Sequence, residues 1–497
     1  METLEEGHIR REPGKKVVML VLVLGLLGIG YGTALFGYAG LALGVLPAVL
    51  CMGFYAINNP AWTMLGLFVG NYLVMGLSKY FYNLPLGTIL DVMILFSLVT
   101  LIVKSMYSTV EWSRAKSGLT LAAVIWTIYC CLELFNPLSG SMTAWASSIR
   151  SYAFTFLAVV ILSQIVFTRF KHLQYMLLIW SLLTMVAVGK ACIQKFIGFD
   201  AAENYWLFVL GGRTTHIIYS GVRYFSIFSD AANFGASMGL SMVVFAVSGI
   251  YADNKWARWW FYFVAAAACY GMLISGTRSA LAVPFTGFAV FIFLSRHVKV
   301  AAGGVLLLIA AFVFLNYTHI GQGNALIRRA RSAFNTNDPS YRLRLENQRK
   351  LRVLMADKPF GAGLGMGGGK ALQHNPNSEI AQIPTDSWFV MVWVETGIVG
   401  LLLHISILLY ILGRGAWLIF FRLKDKRLRG LTAGLLAGIA GIVVASYANE
   451  IFGQIPTGVI MYMSMSFIFL APSYDRELAE QRRLEEGKKR AAKRFFA

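Results

Sequence analysis

The sequence predicts an all-α, polytopic membrane protein with about fourteen transmembrane helices and a large helical loop on the non-cytoplasmic side. Three observations carry that prediction. Of 497 residues, 57% are hydrophobic and only 14% charged, where a soluble domain carries about 25% charged residues. The apolar residues gather in runs of roughly 20, the length that crosses a hydrocarbon core. Short connections alternate between basic and non-basic, as the positive-inside rule requires of a multi-pass chain.

In order, spans are expected near residues 17–35, 38–56, 62–79, 86–103, 119–136, 152–168, 174–192, 232–250, 258–275, 279–295, 299–316, 386–412, 430–449 and 455–472. Arg10, Arg11, Lys15 and Lys16 precede the first run and no small-x-small cleavage site follows, so it reads as an uncleaved span. Every second connection is then basic: Lys104, Arg114 and Lys116; Arg169 and Lys171; Lys255 and Arg258; Arg296 and Lys299; Arg414 to Arg429; and the tail with Arg482, Arg483, Lys488, Lys489 and Arg490. The connection from Ala56 to Pro60 carries no charge. The pattern places both ends in the cytoplasm.

Two connections on the other side are long, from about Ile193 to Ala231 and from about Asn316 to Thr385. Connections of that length are usually functional. The chain therefore divides into a membrane bundle over 1–316, a loop domain over 317–385, completing membrane helices over 386–472 and a basic cytoplasmic tail over 473–497. The tail alternates acids and bases at helical spacing and reads as a solvated or membrane-surface helix.

The five cysteines lie in or beside apolar runs, with neither metal-ligand nor disulfide spacing, and read as packing residues. The net charge of +20 would suggest nucleic acid in a soluble protein. Here the cytoplasmic connections account for most of it, and no nucleic-acid partner is expected. The remainder sits in the second long loop, where ten basic side chains from Arg328 to Lys370 face four acidic ones. A solvated amphipathic helix from Tyr341 to Met355 explains single members of that set; anion binding explains the set better, because guanidinium forks match phosphate oxygens and stay charged. Arg213 and Arg223 in the first long loop, and Arg278 in Ser275-Gly-Thr-Arg-Ser279, lie on the same side. Arginines from separate loops suit a lipid pyrophosphate at the bilayer face, although Arg278 also has the option of snorkelling to headgroups.

The segment Pro359-Phe-Gly-Ala-Gly-Leu-Gly-Met-Gly-Gly-Gly-Lys370 contains GxGxxG at Gly363, Gly365 and Gly368. It lacks strand–turn–helix context and fails as a P-loop at Leu364 and Ala371, so nucleotide binding is rejected in favour of a tight turn with close backbone approach. Candidate general bases are Asp386, Glu395, His216, His319, His374, Asp91, Glu133 and Glu450. Asp386 is equally placed to cap its helix. Trp388 and Trp393 read either as sugar or lipid platforms or as members of an interface belt.

Four segments together resemble the bacterial O-antigen ligase and polymerase superfamily: Arg223 leading to Asn233-Phe; Gly276-Thr-Arg278-Ser279; Arg344 fifteen residues before Pro359-Phe-Gly-Ala-Gly-Leu-Gly365; and Asp386-Ser387, nine residues, then Gly397-Ile-Val-Gly400. They cover about the second half of the chain. The resemblance implies a helical membrane bundle with a helical periplasmic loop in the bacterial inner membrane. It implies a metal-independent, inverting glycosyltransferase without cofactor, which uses an undecaprenyl-pyrophosphate-linked glycan. Arg223, Arg278 and Arg344, with Arg213 and Arg342 as second choices, are implied to hold the pyrophosphate. Asp386 stands where the family has histidine, so the acceptor-activating role passes to a carboxylate or to His374. That departure tilts the reading toward a surface polysaccharide polymerase. A ligase transferring glycan to lipid A-core or protein is the alternative, and a flippase for lipid-linked sugars the second. The flippase reading expects repeated halves and interrupted helices at the midplane, which the sequence does not display.

Overall fold

The computed structural model describes residues 53–139, 141–218, 221–295, 298–332 and 339–495. The first expected span, and all but the last four residues of the second, lie outside these residues. The chain forms two compact units, residues 1–63 with 96–110 and residues 64–95 with 111–497. In the first, Lys104 Nζ donates to the Asn58 carbonyl at 3.0 Å. The second holds every residue of the site described below.

Among the described residues, ten helices are long and apolar enough to span a membrane. They are α1 (Pro60–Tyr80), α2 (Gly87–Ser105), α3 (Gly118–Phe135), α4 (Met142–Val166), α5 (Phe170–Phe196), α6 (Ala231–Ile250), α7 (Lys255–Ile274), α11 (Trp388–Arg422), α12 (Lys426–Ala445) and α13. The last of these runs over Thr457–Phe495. Two shorter apolar helices, α8 (Arg278–Leu294) and α9 (Ala302–Tyr317), lie where the tenth and eleventh spans were expected. Between α9 and α11 lies α10 (Pro339–Leu354). The fold is thus the all-α polytopic one the composition demanded, with a helix at each expected span among the described residues. The number fourteen goes beyond what the described residues contain. Boundaries moved most at α4, which begins ten residues early because Ser141 caps it through Ala144 N, and at α13, which continues past Pro472 into the tail.

Close packing of small residues holds the inner helices. α6 lies against α7 and α12, and α8 against α12. A Cβ at Gly438 of α12 would meet Leu240 at 2.4 Å, and one at Gly441 the Val283 carbonyl oxygen at 2.4 Å. Lipid offers no hydrophobic drive between helices, so this backbone-to-side-chain approach supplies van der Waals contact instead.

α11 is broken at Gly397, whose φ of 67° and ψ of −174° leave the helical region. A break inside a membrane frees backbone groups that cost several kcal/mol each if unsatisfied. Several of them have partners outside the helix. The carbonyls of Val394 and Glu395 accept from the amides of Ala362 and Gly363 at 2.8 and 3.1 Å, and Val399 N donates to the Pro359 carbonyl at 3.3 Å. The Thr396 carbonyl accepts from the Tyr129 hydroxyl at 2.8 Å. The glycine-rich segment is therefore a backbone clasp on the broken helix. Gly361 approaches so closely that a Cβ would lie 2.5 Å from Gly397 N, and one at Gly397 would lie 2.0 Å from the Pro359 oxygen. Gly400 leaves room for the Tyr129 ring, which a Cβ would meet at 2.8 Å.

Gly397→Ala should cost at least about 2 kcal/mol, through strain at a positive φ and collision with Pro359. Gly413→Ala, in the same helix but with open space around its Cα, should be neutral or stabilise by up to about 1 kcal/mol. Thermal unfolding of both variants in detergent measures the contrast.

Candidate functional site

The site forms where four connections meet at one end of the bundle. The first begins with a two-stranded hairpin, β1 (Ile217–Ile218) and β2 (Gly221–Val222), paired Ile217 to Val222 and Ile218 to Gly221. Arg223 follows directly, and its amide donates to the His216 carbonyl at 2.8 Å, extending the ladder. Its guanidinium donates through Nη1 to the Thr215 carbonyl at 3.1 Å and through Nη2 to the Thr277 hydroxyl at 2.9 Å. Nε is buried without a partner.

The loop after Arg223 is fixed from below. Ser226 has a φ of 54°, a left-handed conformation uncommon for serine. Gln194 grips its backbone from both sides: Ser226 N donates to Gln194 Oε1 at 2.8 Å and Gln194 Nε2 to Ser226 O at 3.3 Å. The Ser226 hydroxyl donates to Ala187 O at 2.6 Å. Gln194 in turn donates to the buried Glu203 carboxylate at 2.7 Å, which pairs with Lys190 at 3.1 Å. Lys79, also buried, donates to the Phe228 carbonyl at 2.6 Å and sits 3.7 Å from the centre of the Phe225 ring. Neither Lys79 nor Gln194 stood out in the sequence, because each lies in an apolar run with no motif around it.

The loop ends in Asp230, which caps α6 by accepting from Ala232 N and Asn233 N at 2.8 and 2.9 Å. His216 completes this cap: its Nε2 accepts from Ala231 N at 3.2 Å and its Nδ1 faces the Gly212 carbonyl at 2.8 Å. This pattern requires the neutral ring with hydrogen on Nδ1. Burial pushes the His216 pKa down from 6.5 to about 4. The residue serves as a buried structural clamp.

The second connection is Ser275–Ser279, and each residue has a defined task. Gly276, at φ 59°, turns the chain and leaves space for Arg329, whose Cζ would lie 2.9 Å from a Cβ there. Thr277 receives Arg223 and donates to the Ala231 carbonyl at 2.9 Å. Ser279 accepts from Asn449 Nδ2. Arg278 projects its charge into the same region: burial and then the nearby charges of Arg278 and Arg344 push the Arg223 pKa down, against the pull of Asp230. Arg329, on the helix Ala325–Arg331 of the third connection, is lowered to about 10 by burial and by Arg223 and Arg278. Four guanidiniums, those of Arg223, Arg278, Arg329 and Arg344, thus share one electrostatic neighbourhood.

Three of these were expected from the sequence; Arg329 was not, since nothing in its spacing separates it from Arg328 and Arg331. Arg213 is exposed, with its guanidinium 5.8 Å from the Phe208 ring centre. Arg342 is exposed on α10.

Asp386 is half-buried with a φ of 51°. It is not the cap of α11, as the sequence had allowed: Ser387 holds that position. Its neighbour Thr385 donates to the Glu450 carboxylate in the fourth connection. Trp388 N donates to Ser446 O at 3.0 Å, and the indole donates to His404 Nε2 at 3.0 Å and stacks 5.0 Å from Tyr152. Trp388 is therefore a buried peg without a face for sugar, and half-buried Trp393 packs against the cluster of Leu351, Met355 and Val394. The 446–450 turn links both halves, touching the Asp386 segment through Ser446 and Glu450 and the Arg278 turn through Asn449. The His374 ring lies 3.4 Å from the Ser147 hydroxyl, and His319 is exposed against Gln322.

Fold and site together define a multi-pass membrane protein with a cluster of arginines at one end of its helices. Residues 261–405 match the family model described as O-antigen ligase. A curated O-antigen polymerase from Salmonella muenchen is 25% identical over 305 residues, covering 57% of this chain and 70% of that protein. The two findings support the O-antigen ligase and polymerase superfamily for this chain. The matched segment holds Arg278, Arg329, Arg344, the glycine clasp, Asp386 and Gly397; Arg223 lies before it.

Because His216 titrates lower in the folded chain than its usual 6.5, its contribution to stability is complete above pH 6.5 and is lost as pH falls toward 4. His216→Gln should be less stable than wild type at pH 7.5. Its further loss on acidification to pH 4.5 should be smaller by on the order of 2 kcal/mol. Unfolding curves of both proteins at the two pH values measure this.

Proposed function

We propose that this protein is a membrane glycosyltransferase that polymerises surface polysaccharide from an undecaprenyl-pyrophosphate-linked glycan at the periplasmic face of the inner membrane. The observation that carries the reading is the meeting of Arg223, Arg278 and Arg329 at the Thr277 turn, with the charge of Arg344 felt by Arg223. Mutual repulsion among Arg223, Arg278, Arg329 and Arg344 is a standing cost that a bound polyanion relieves, and a pyrophosphate is the polyanion a lipid-linked sugar donor presents. The alternation of basic connections supports the periplasmic placement.

In this reading the acceptor hydroxyl oxygen attacks the anomeric carbon and forms the new glycosidic bond. The bond from that carbon to the pyrophosphate oxygen breaks, its electron pair leaves with the lipid pyrophosphate, and the hydroxyl proton passes to a carboxylate. Charge grows on the departing oxygen, where fixed guanidiniums stabilise it most. Asp386 is the acceptor-side carboxylate, with Glu450 beside its segment. The carboxylate in place of the family's histidine supports polymerase over ligase. The description of the matching family model favours ligase as the second reading.

The experiment is deletion of the gene in its host, complemented with wild type, Arg278→Ala or Arg329→Ala, with surface glycans resolved by gel beside extracted lipid-linked sugars. The expected result is collapse of the ladder to single repeats, with at least about a hundredfold less polymer from Arg278→Ala and normal membrane insertion. A near wild-type ladder from both alanine variants would contradict the pyrophosphate assignment. Long chains stranded on the carrier would establish a ligase.

A further inference from the structure

A second cationic site lies at the opposite end of α11. Arg414 is 26 residues beyond Trp388, past the break at Gly397. It lies beside Ser117, which follows the basic residues Arg114 and Lys116 of a connection expected on the cytoplasmic side. Here α3, α11 and α13 leave a cleft of about 390 Å³, whose lining includes Ser117, Tyr410, Arg414, Leu418, Phe469 and Pro472. At about 30 Å³ per water, it holds a group the size of a phosphoglycerol.

The walls are of two kinds. Ser117, Tyr410 and Arg414 offer hydroxyls and a guanidinium, whereas Leu418, Phe469 and Pro472 are apolar. Beside the cleft, two guanidiniums converge on one indole: Arg414 lies 4.2 Å and Arg422 5.3 Å from the Trp417 ring centre. Both arginines are exposed, and among the described residues neither pairs with a carboxylate. Stacking on Trp417 fixes the guanidinium planes and leaves their N–H edges for an acceptor. Phe421, 71% exposed, sits between them in sequence and suits an acyl chain.

We propose that this cleft binds the headgroup phosphate of an anionic phospholipid, with the acyl chains running up the apolar wall. A phospholipid fits better than a soluble phosphate because the site joins a paired cation to an apolar wall at headgroup depth. The basic stretch Arg414–Arg429, which the glycosyl-transfer site leaves unused, thereby gains a specific ligand in addition to a general role in orientation.

The test is native mass spectrometry of the full-length protein in detergent, titrated with phosphatidylglycerol or phosphatidylcholine. Wild type should retain one more tightly bound phosphatidylglycerol than Arg414→Gln/Arg422→Gln, whose affinity for that molecule should fall at least tenfold. Arg414→Lys/Arg422→Lys should keep the lipid, and phosphatidylcholine should bind weakly to all three. Both substitutions are on exposed side chains, so folding is preserved and can be checked by the unchanged unfolding temperature. Equal phosphatidylglycerol retention by the glutamine variant would overturn the proposal, as would equal affinity for phosphatidylcholine. Displacement of the lipid by millimolar inorganic phosphate would overturn it in favour of a soluble-anion site.

Discussion

The constraint on which the rest depends is that a backbone inside a membrane must satisfy its own hydrogen bonds. α11 breaks at Gly397, and the freed groups find partners in Pro359, Ala362 and Gly363 of the long loop and in Tyr129 of α3. One arrangement does two jobs. It makes the break tolerable in lipid, and it fastens the loop that carries Arg329 and Arg344 to the helix that carries Asp386. Without the clasp, a 70-residue connection would have no reason to hold its arginines over Thr277.

A similar economy governs the other half of the site. Ser226 is held at a positive φ by Gln194 and Ala187, and the strain is bearable because three hydrogen bonds define that conformation. His216 and Asp230 close the start of α6, so Arg223 leaves a rigid hairpin and meets Thr277. Electrostatics then works against packing: the guanidiniums repel, and burial of Arg223 and Arg329 sharpens the repulsion. In the proposed function, a bound polyanion removes a cost the fold already carries.

Much of the architecture was legible because lipid imposes a simple code. Runs of apolar residues gave the helices, and basic connections gave a consistent orientation. Arg223, Arg278 and Arg344 were legible through their loops and motif spacing. The glycine-rich segment was readable as a close backbone approach, but its partner was not, because Gly397 lies 38 residues beyond Pro359 and backbone pairing leaves no side-chain signature. Arg329 was hidden among three neighbouring arginines, distinguishable only by the missing Cβ of Gly276. Gln194 and Lys79 were hidden in apolar helices, where a single polar residue reads as noise until the loop it grips is seen. Asp386 drew a capping interpretation because the pattern of an acid before an apolar run is common to caps; its backbone is left-handed, and Ser387 stands at the N-cap position instead.

The central claim is tested most directly by reconstituting the purified protein with its host's lipid-linked repeat unit as sole substrate and following the products by size. The account predicts a ladder of lipid-linked oligomers, with one free lipid pyrophosphate released per linkage, and no ladder from the protein carrying Arg223→Ala and Arg278→Ala. Repeat units that stay monomeric with the wild-type protein, or a ladder that survives the double substitution, would contradict it.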